Sequence, residues 1–545
     1  MCARIRPVGT TARVAAKLER PAALSRTFSQ QPCLCKPQTP LPPASPLTTA
    51  STTPSSHNSP VPTSVAGFLA WTPAEAVSGV AIHGFVRSVR TMKKYTFVTL
   101  GDGSSLTSLQ AVVPAALFAA SSNAEITNGA AVRLRGAWTP SPGAGQSHEL
   151  HVTDFAVLGP SDAKTFPIQK KYQTPEFLRT LPHLRPRVPF NTTLLRFRSD
   201  VIASLTRFFT ERRFVQTHPP LITSSDCEGA GEVFTVAGGA ASNQANKQQA
   251  GEGSFFFRSD KYLTVSTQLH LEALSQALGN VWTLSPTFRA EESDTPRHLS
   301  EFYMLEAEVG FADRMDEVMD LVEDMLRFVA GECRGSRTYN ELLSRVSTGN
   351  AAANDLEEPK TVDQRWAGLL SHTPWPRITY AEALRLLQDA PVAFEHAPVW
   401  EQGLMTEHER YLARIVGGVE KTPVFVTHYP RVSKAFYMLP TERLAGSLPG
   451  TDTVDCFDLL VPEFCEIAGG SMREHRLDQL LATMQARGMA CSPGGLDWYV
   501  DLRRWGCPPH GGFGMGFDRL LCYLTGVQTI RDTVAFPRWY GRCDC

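Results

Sequence analysis

The 545-residue chain has no uninterrupted apolar run approaching the roughly 20 residues needed to span a bilayer as a helix, which excludes a helical membrane protein. A surplus of charge of one sign is also missing: 53 lysines and arginines stand against 54 aspartates and glutamates. Any surface for a polyanion is therefore local, built from a few placed side chains. The 12 cysteines are scattered, and the close pairs Cys33/Cys35 and Cys543/Cys545 have a single residue between them, unlike zinc-finger ligands. They read as reduced thiols of an intracellular protein. Acidic residues are almost absent before position 75, where Glu19 stands alone among Arg4, Arg6, Arg13, Lys17, Arg20, Arg26 and Lys36. An arginine-rich leader with no continuous apolar core is not a secretory signal. It predicts a mitochondrial transit peptide and a place in the mitochondrial matrix.

What is present divides into blocks. Residues from about Gln30 to Pro62 are rich in Pro, Ser and Thr and cannot bury enough apolar surface to fold, so 1–64 is read as leader and linker. Between Val80 and Gly159 short β-patterned runs recur with turn signals: Val80–Val86, Tyr95–Leu100, Leu109–Val113, Ala131–Gly136 and Leu150–Phe155, with a Gly-Asp-Gly turn at Gly101–Gly103. Such a series predicts a small closed barrel over 65–160. Residues 161–189 hold Pro167, Pro175, Pro182, Pro186 and Pro189, which forbid a long helix and predict a hinge. The second domain runs over 190–545. In it, Asp316–Phe328 carries a helical apolar stripe, and 336–400 is partly an insertion, its 336–370 stretch polar and irregular.

Chemistry concentrates in two places. Phe288-Arg289-Ala290-Glu291, then Arg297-His298, then Glu301-Phe302, lie between the apolar β-formers Val281–Leu284 and Phe302–Leu305, which predicts strand, loop, strand. An arginine fork at a strand end takes a phosphate or carboxylate bidentately, a loop arginine can close over a polyphosphate, and Phe302 can stack on a purine. Alone, the first four residues read more readily as an ordinary surface ion pair. A second arginine, Arg519, follows the glycine-rich run Gly511–Gly516. That run is no dinucleotide fingerprint, because no βαβ unit with a ribose-binding acid follows. Its glycines predict a close approach of backbone to a nucleotide.

These two segments resemble motifs 2 and 3 of class II aminoacyl-tRNA synthetases, and Phe208–Thr223, with Pro220, resembles motif 1. The five β-runs resemble the anticodon-binding domain of the class IIb aspartyl, asparaginyl and lysyl enzymes. The resemblance implies an α+β protein: an N-terminal OB-fold barrel, then a catalytic domain with an antiparallel sheet flanked by helices. Over about residues 78–545 the match is to the asparaginyl family, through His408–Leu412, Tyr429–Arg431, Lys434–Met438 and Phe536–Arg538. With the leader, it is to the mitochondrial form.

The resemblance also implies roles. Arg289 and Arg519 are catalytic, stabilising the α-phosphate and holding the γ-phosphate of ATP, and Glu291, Arg297, His298, Phe302 and Glu466 complete the ATP site. Asp458 and Glu466 are the Mg2+ ligands. Glu228 and Gln268 take the ammonium of the amino acid. Three residues after Gln268, where an aspartyl enzyme places a lysine, stands Leu271, so an aspartate carboxylate is disfavoured there. Glu306 offers an acceptor and Arg473 a donor to a carboxamide, which carries both. On the barrel the match assigns Phe97 to stacking an anticodon base, Gln110 to base reading and Arg87 to a backbone or base contact, although Phe97 is also readable as a core aromatic. The partners implied are tRNA(Asn), asparagine and a second copy of the chain through motif 1. Asp518 where many asparaginyl relatives have glutamate, and the Pro508–Gly512 segment, keep an aspartyl enzyme as the second reading. An inactive RNA-binding paralogue is the third.

Overall fold

The computed structural model describes residues 61–545, except 121–124, 144, 225–232, 237–256, 258–259, 345–356, 443–450 and 490–494. The leader of residues 1–60 lies outside the described residues.

Five strands, β1 (Val77–Thr91), β2 (Tyr95–Gly101), β3 (Leu109–Pro114), β4 (Ala131–Pro140) and β5 (His148–Gly159), close into a barrel in the order β1-β2-β3-β5-β4. Alternation decides which side chains fill it. Val98, Leu100, Ala111, Val113, Leu134 and Val152 point inward and are buried, while Phe97 and Gln110 sit between them on the outer face. A register shift between Val86 and Ser88 places Arg87 at a bulge of β1.

The hinge holds one short helix, Pro175–Arg179, and a single 3-10 turn, Arg185–Arg187, before Pro189 opens the helix Pro189–Glu211. Proline suits that first helical position, where no intrahelical N–H bond is lost. Arg185 is buried and fixes the hinge to the C-terminal segment, donating to the carbonyl of Arg531 (2.8 Å) and pairing with Asp532 (3.1 Å).

Short strands β6 (Val215–Gln216), β7 (Ile222–Thr223) and β8 (Tyr262–Leu263) lead into β9 (Val281–Phe288) and β10 (Glu301–Gly310). Then follow β11 (Arg377–Thr379), β12 (Val424–Thr427), β13 (Cys456–Val461), β14 (Cys465–Met472) and β15 (His510–Gly516). Eight of them form a sheet in the order β11-β12-β13-β14-β15-β10-β9-β6. Every neighbouring pair from β12 to β9 is antiparallel, but the outer pairs β11-β12 and β6-β9 are parallel, so the sheet is mixed at its edges and not wholly antiparallel.

One face of the sheet, with Leu305, Ala307, Phe513, Met515, Ile467 and Leu459, packs on the helices Pro189–Glu211, Met315–Cys333 and Phe517–Thr525. The stretch 336–370 departs from the expectation of irregular chain. It contains the helices Arg337–Ser344 and Pro359–Leu369, whose Tyr339, Leu342, Val362, Trp366 and Leu369 join the same core. Apolar residues are few there, but Val362, Trp366 and Leu369 fall at helical spacing, and one large side chain per turn suffices to anchor a helix.

Candidate active site

Strand alternation sends Met304, Glu306 and Glu308 of β10 to the face opposite that core. Their partners across the ladder are Gly516, Gly514 and Gly512. Gly512, Gly514 and Gly516 therefore stand on the open face, while Phe513 and Met515 fill the core. Gly512 is required there: a Cβ on it would lie 2.1 Å from Glu308 Oε2. The expectation of close nucleotide approach fits Gly514 and Gly516, which border the cavity, and not Gly511, which packs against Met472 and Val318.

That face holds a cavity of about 370 Å³, within the range for small-molecule sites of roughly 300–1,000 Å³. Gln268, Leu271, Arg289, Glu291, Arg297, His298, Phe302, Glu306, Asp458, Glu466, Arg473 and Arg519 all line it. Glu228 lies outside the described residues. Arg289 continues β9, with its guanidinium 5.6 Å from the Phe302 ring centroid and 3.9 Å from Glu291, which also meets His298 at 3.4 Å. Arg297 donates to the carbonyl of Glu463 (3.1 Å) and Arg519 to that of Glu466 (3.0 Å). The loop between β9 and β10 is pinned by Arg531, which donates to Asp294 (2.7 Å) and to the carbonyl of Thr295 (2.9 Å). Asp518 accepts from Arg198 (2.5 Å) and from the Tyr303 N–H (2.9 Å), so the aspartate before Arg519 ties its helix to β10.

At the far end, Glu306 accepts from the Ser266 hydroxyl (2.5 Å), the Thr267 N–H (3.1 Å) and the Thr267 hydroxyl. Burial raises its carboxyl above the usual range, against those hydrogen bonds. The Thr267 N–H is shared between both carboxylate oxygens (3.1 Å each), so each oxygen carries two contacts and a further donor would share an oxygen with that bifurcated bond. Arg473 forms a fork with Glu308 (3.1 and 3.0 Å) and donates to Ser471 (2.6 Å). Glu308, which the sequence reading missed, thus neutralises the arginine intended for the substrate.

Asp458 and Glu466 reach one face through a bulge. The β13-β14 register shifts between Leu459 and Leu460, so Glu466 opposes Leu460, on the side of Asp458. A Cβ on Gly469 would lie 3.2 Å from Asp458 Oδ1 and 3.5 Å from Glu466 Oε1, so the two carboxylates converge over that glycine. Hard oxygen donors of this kind fit magnesium. Lys434, also missed, stands there as a cation on Asp458 (2.8 and 3.0 Å). Burial works against its ammonium, yet Asp458 holds its pKa above the ordinary lysine value. A third acid, Glu409, accepts from the Glu466 N–H (3.3 Å) and is pushed up to about 7 by burial and by Glu466 and Asp458. The buried group Glu272, Glu308 and His510 also has metal-like proximity, but Arg503 and Arg473 already neutralise both carboxylates.

On the barrel, Phe97 is half-buried on the outer face with Arg90 5.2 Å from its centroid, and is not part of the core. Gln110 lies on the same face and donates to Glu149 (3.1 Å). Arg87 does not join them. Its side chain packs over Gly101 and donates to the carbonyl of Arg187 in the hinge, and burial and the neighbouring Arg187 lower its pKa to about 10. The bulge turns it away, leaving Arg90 as the arginine beside Phe97.

A glycine-faced antiparallel sheet with arginines at both ends of one cavity defines a class II aminoacyl-tRNA synthetase. Residues 174–540 match the family described as tRNA synthetases class II (D, K and N), and 80–158 match the OB-fold nucleic acid binding domain. The chain is 41% identical over 480 residues to the mitochondrial asparagine–tRNA ligase of Saccharomyces cerevisiae, covering 84% of this chain and 92% of that protein. It is 42% identical over 466 residues to the asparagine–tRNA ligase of Oleidesulfovibrio alaskensis, covering 84% and 95%. Asparaginyl-tRNA synthetase from Pyrococcus horikoshii complexed with asparaginyl-adenylate superposes with a TM-score of 0.70 at 28% identity, covering 85% of this chain and 96% of that one. Within its class, the chain belongs to the asparagine–tRNA ligases.

Proposed function

We propose that the chain joins asparagine to tRNA(Asn) at the expense of ATP, in mitochondrial translation. The observation that carries the choice of amino acid is the charge balance at the Glu306 end of the cavity. Arg473 is neutralised by Glu308, Leu271 brings no cation, and Glu306 borders the cavity as an acceptor whose Thr267 N–H bond is shared between its two oxygens. A carboxamide finds both a donor and an acceptor there, whereas an aspartate carboxylate meets Glu306 without a compensating charge. Pyrophosphate exchange with each amino acid in turn tests this reading.

In the first step a carboxylate oxygen of asparagine attacks the α-phosphorus of ATP in line, and the bond to the β-phosphate breaks as pyrophosphate leaves. Arg289 stabilises the charge on the α-phosphate, and Arg519, Arg297 and His298 hold the outer phosphates, while Phe302 stacks on the adenine. Gln268 and Glu228 accept from the substrate ammonium. Asp458 and Glu466 would hold magnesium, which would supply charge neutralisation for the polyphosphate. In the second step a hydroxyl of the terminal adenosine of the tRNA attacks the activated carbonyl and AMP leaves. Catalysis rests on positioning and charge stabilisation.

The outer face of β1, β2 and β3, with Arg90, Phe97 and Gln110, takes the anticodon. Phe97→Ala weakens charging of tRNA(Asn) by about 1–3 kcal/mol, the worth of a base-on-aromatic stack, while pyrophosphate exchange and barrel melting stay at wild-type values. A drop in melting without a loss of charging would remove Phe97 from the interface.

The chain works as a two-fold dimer through the motif 1 segment. Val215 on the edge strand β6, Leu278 and Phe311 are exposed around the Asn280 corner, Phe311 by 78% and with a left-handed φ of 57°. An isologous contact would cover that apolar patch. Sedimentation at micromolar protein is expected to give a dimer, and a fully active monomer overturns the claim. The mitochondrial setting rests on the arginine-rich composition of residues 1–74. A reporter fused to them that stays in the cytosol would contradict it.

A further inference from the structure

Gln268 opens the helix Gln268–Leu278 and borders the cavity, and one turn deeper the same helix carries Glu272, fully buried. Gln268 Nε2 donates to Glu272 Oε1 at 3.0 Å. The two ends of a glutamine amide are nearly the same size, so hydrogen bonding alone decides which end points where. With its NH2 on a carboxylate, the amide leaves its carbonyl oxygen for the cavity. An ammonium is purely a donor and needs that acceptor. Rotated by half a turn, the amide would set its own NH2 against the ammonium and its oxygen against the carboxylate.

Glu272 is itself fixed on every side. Arg503 donates to it at 2.6 Å, the Tyr499 hydroxyl at 2.8 Å, and His510 Nε2 lies 3.0 Å away. Arg503 also donates to Tyr499 (2.9 Å) and to the carbonyl of Glu474 (2.9 Å), which ties the group to the strand end that carries Arg473. Burial by itself would raise the Glu272 carboxyl, but Arg503 and His510 override it and keep the group ionised. Those same cations screen its charge from the cavity. Its effect on a ligand is therefore one of orientation and not of long-range attraction.

We propose that Glu272 is a positioning residue for asparagine binding: it holds the Gln268 amide with its oxygen toward the substrate ammonium. The proposal rests on the reading that Gln268 contacts that ammonium.

The test compares two ligands on the full chain by calorimetry: asparagine, and succinamate, which is asparagine without its amino group. In Glu272→Gln the introduced amide presents an NH2 to Gln268 and rotates it. Asparagine affinity is expected to fall about ten- to hundredfold, by analogy with the loss of a partner that orients a metal-ligating side chain, while succinamate binding is unchanged. Combining Glu272→Gln with Gln268→Glu restores an acceptor toward the ammonium and is expected to recover most of the asparagine affinity. Equal losses for both ligands, wild-type asparagine binding, or no recovery in the double variant each overturns the proposal. Should Glu272→Gln not fold, Glu272→Asp keeps the charge and withdraws the carboxylate by one methylene, and the same two ligands are compared under the same criteria. Gln268→Ala separates the layers. Wild-type asparagine binding by it defeats the underlying reading, whereas weakened binding by it beside a wild-type Glu272→Gln defeats the present proposal alone.

Discussion

Arg289→Ala lowers asparagine-dependent pyrophosphate exchange by about two to three orders of magnitude, the usual effect of removing one preorganised donor from a developing charge. The protein remains folded. Arg289 extends from the end of β9 into the cavity, its side chain about one-third exposed, with Phe302 and Glu291 as its neighbours. Arg289→Lys keeps the charge but loses the fork, and recovers only part of the rate. Wild-type exchange by a folded Arg289→Ala protein would remove the residue from the mechanism.

Glu308→Ala produces the second large effect, on stability first. The Glu308 and Arg473 side chains are 1% and 3% exposed, and the carboxylate meets the guanidinium through two hydrogen bonds. Deleting one partner leaves the other charge buried without compensation, which costs about 3–5 kcal/mol. A marked fall in the thermal midpoint is expected, together with a raised KM for asparagine in the protein that remains folded, because Arg473 is no longer held. An unchanged midpoint would mean that Arg473 finds another anion or water, and would contradict the charge balance on which the preference for asparagine rests.

Local patterns carried much of this site. The β-runs with their turn residues gave the barrel strands, and the family resemblance brought together the arginines that flank β9, β10 and β15, whereas alternation along β10 and β15 accounts for Glu306 and the glycines on the open face. What depends on pairing between distant strands was not readable. Nothing in the spacing of Asp458 and Glu466 reveals the bulge that puts them on one face. The same kind of shift in β1 turns Arg87 into the hinge, where the family pattern had assigned it to the anticodon. Lys434 and Glu409 come from separate segments, and their partners Asp458 and Glu466 are fixed only once β13 and β14 are paired. Glu308 could have been found: two residues beyond Glu306, it shares that residue's face of β10, and a buried arginine such as Arg473 needs an anion. Glu272 sits one helical turn from Gln268, a spacing that marks a neighbour without showing that the two bond.

The central claim is that this cavity activates asparagine. The most direct measurement is pyrophosphate exchange into ATP by the purified chain with each of the twenty amino acids supplied singly. Asparagine alone is expected to support exchange, with aspartate at background, because Arg473 is neutralised by Glu308 and Leu271 supplies no cation. Exchange with aspartate at a rate equal to or above that with asparagine would contradict the account.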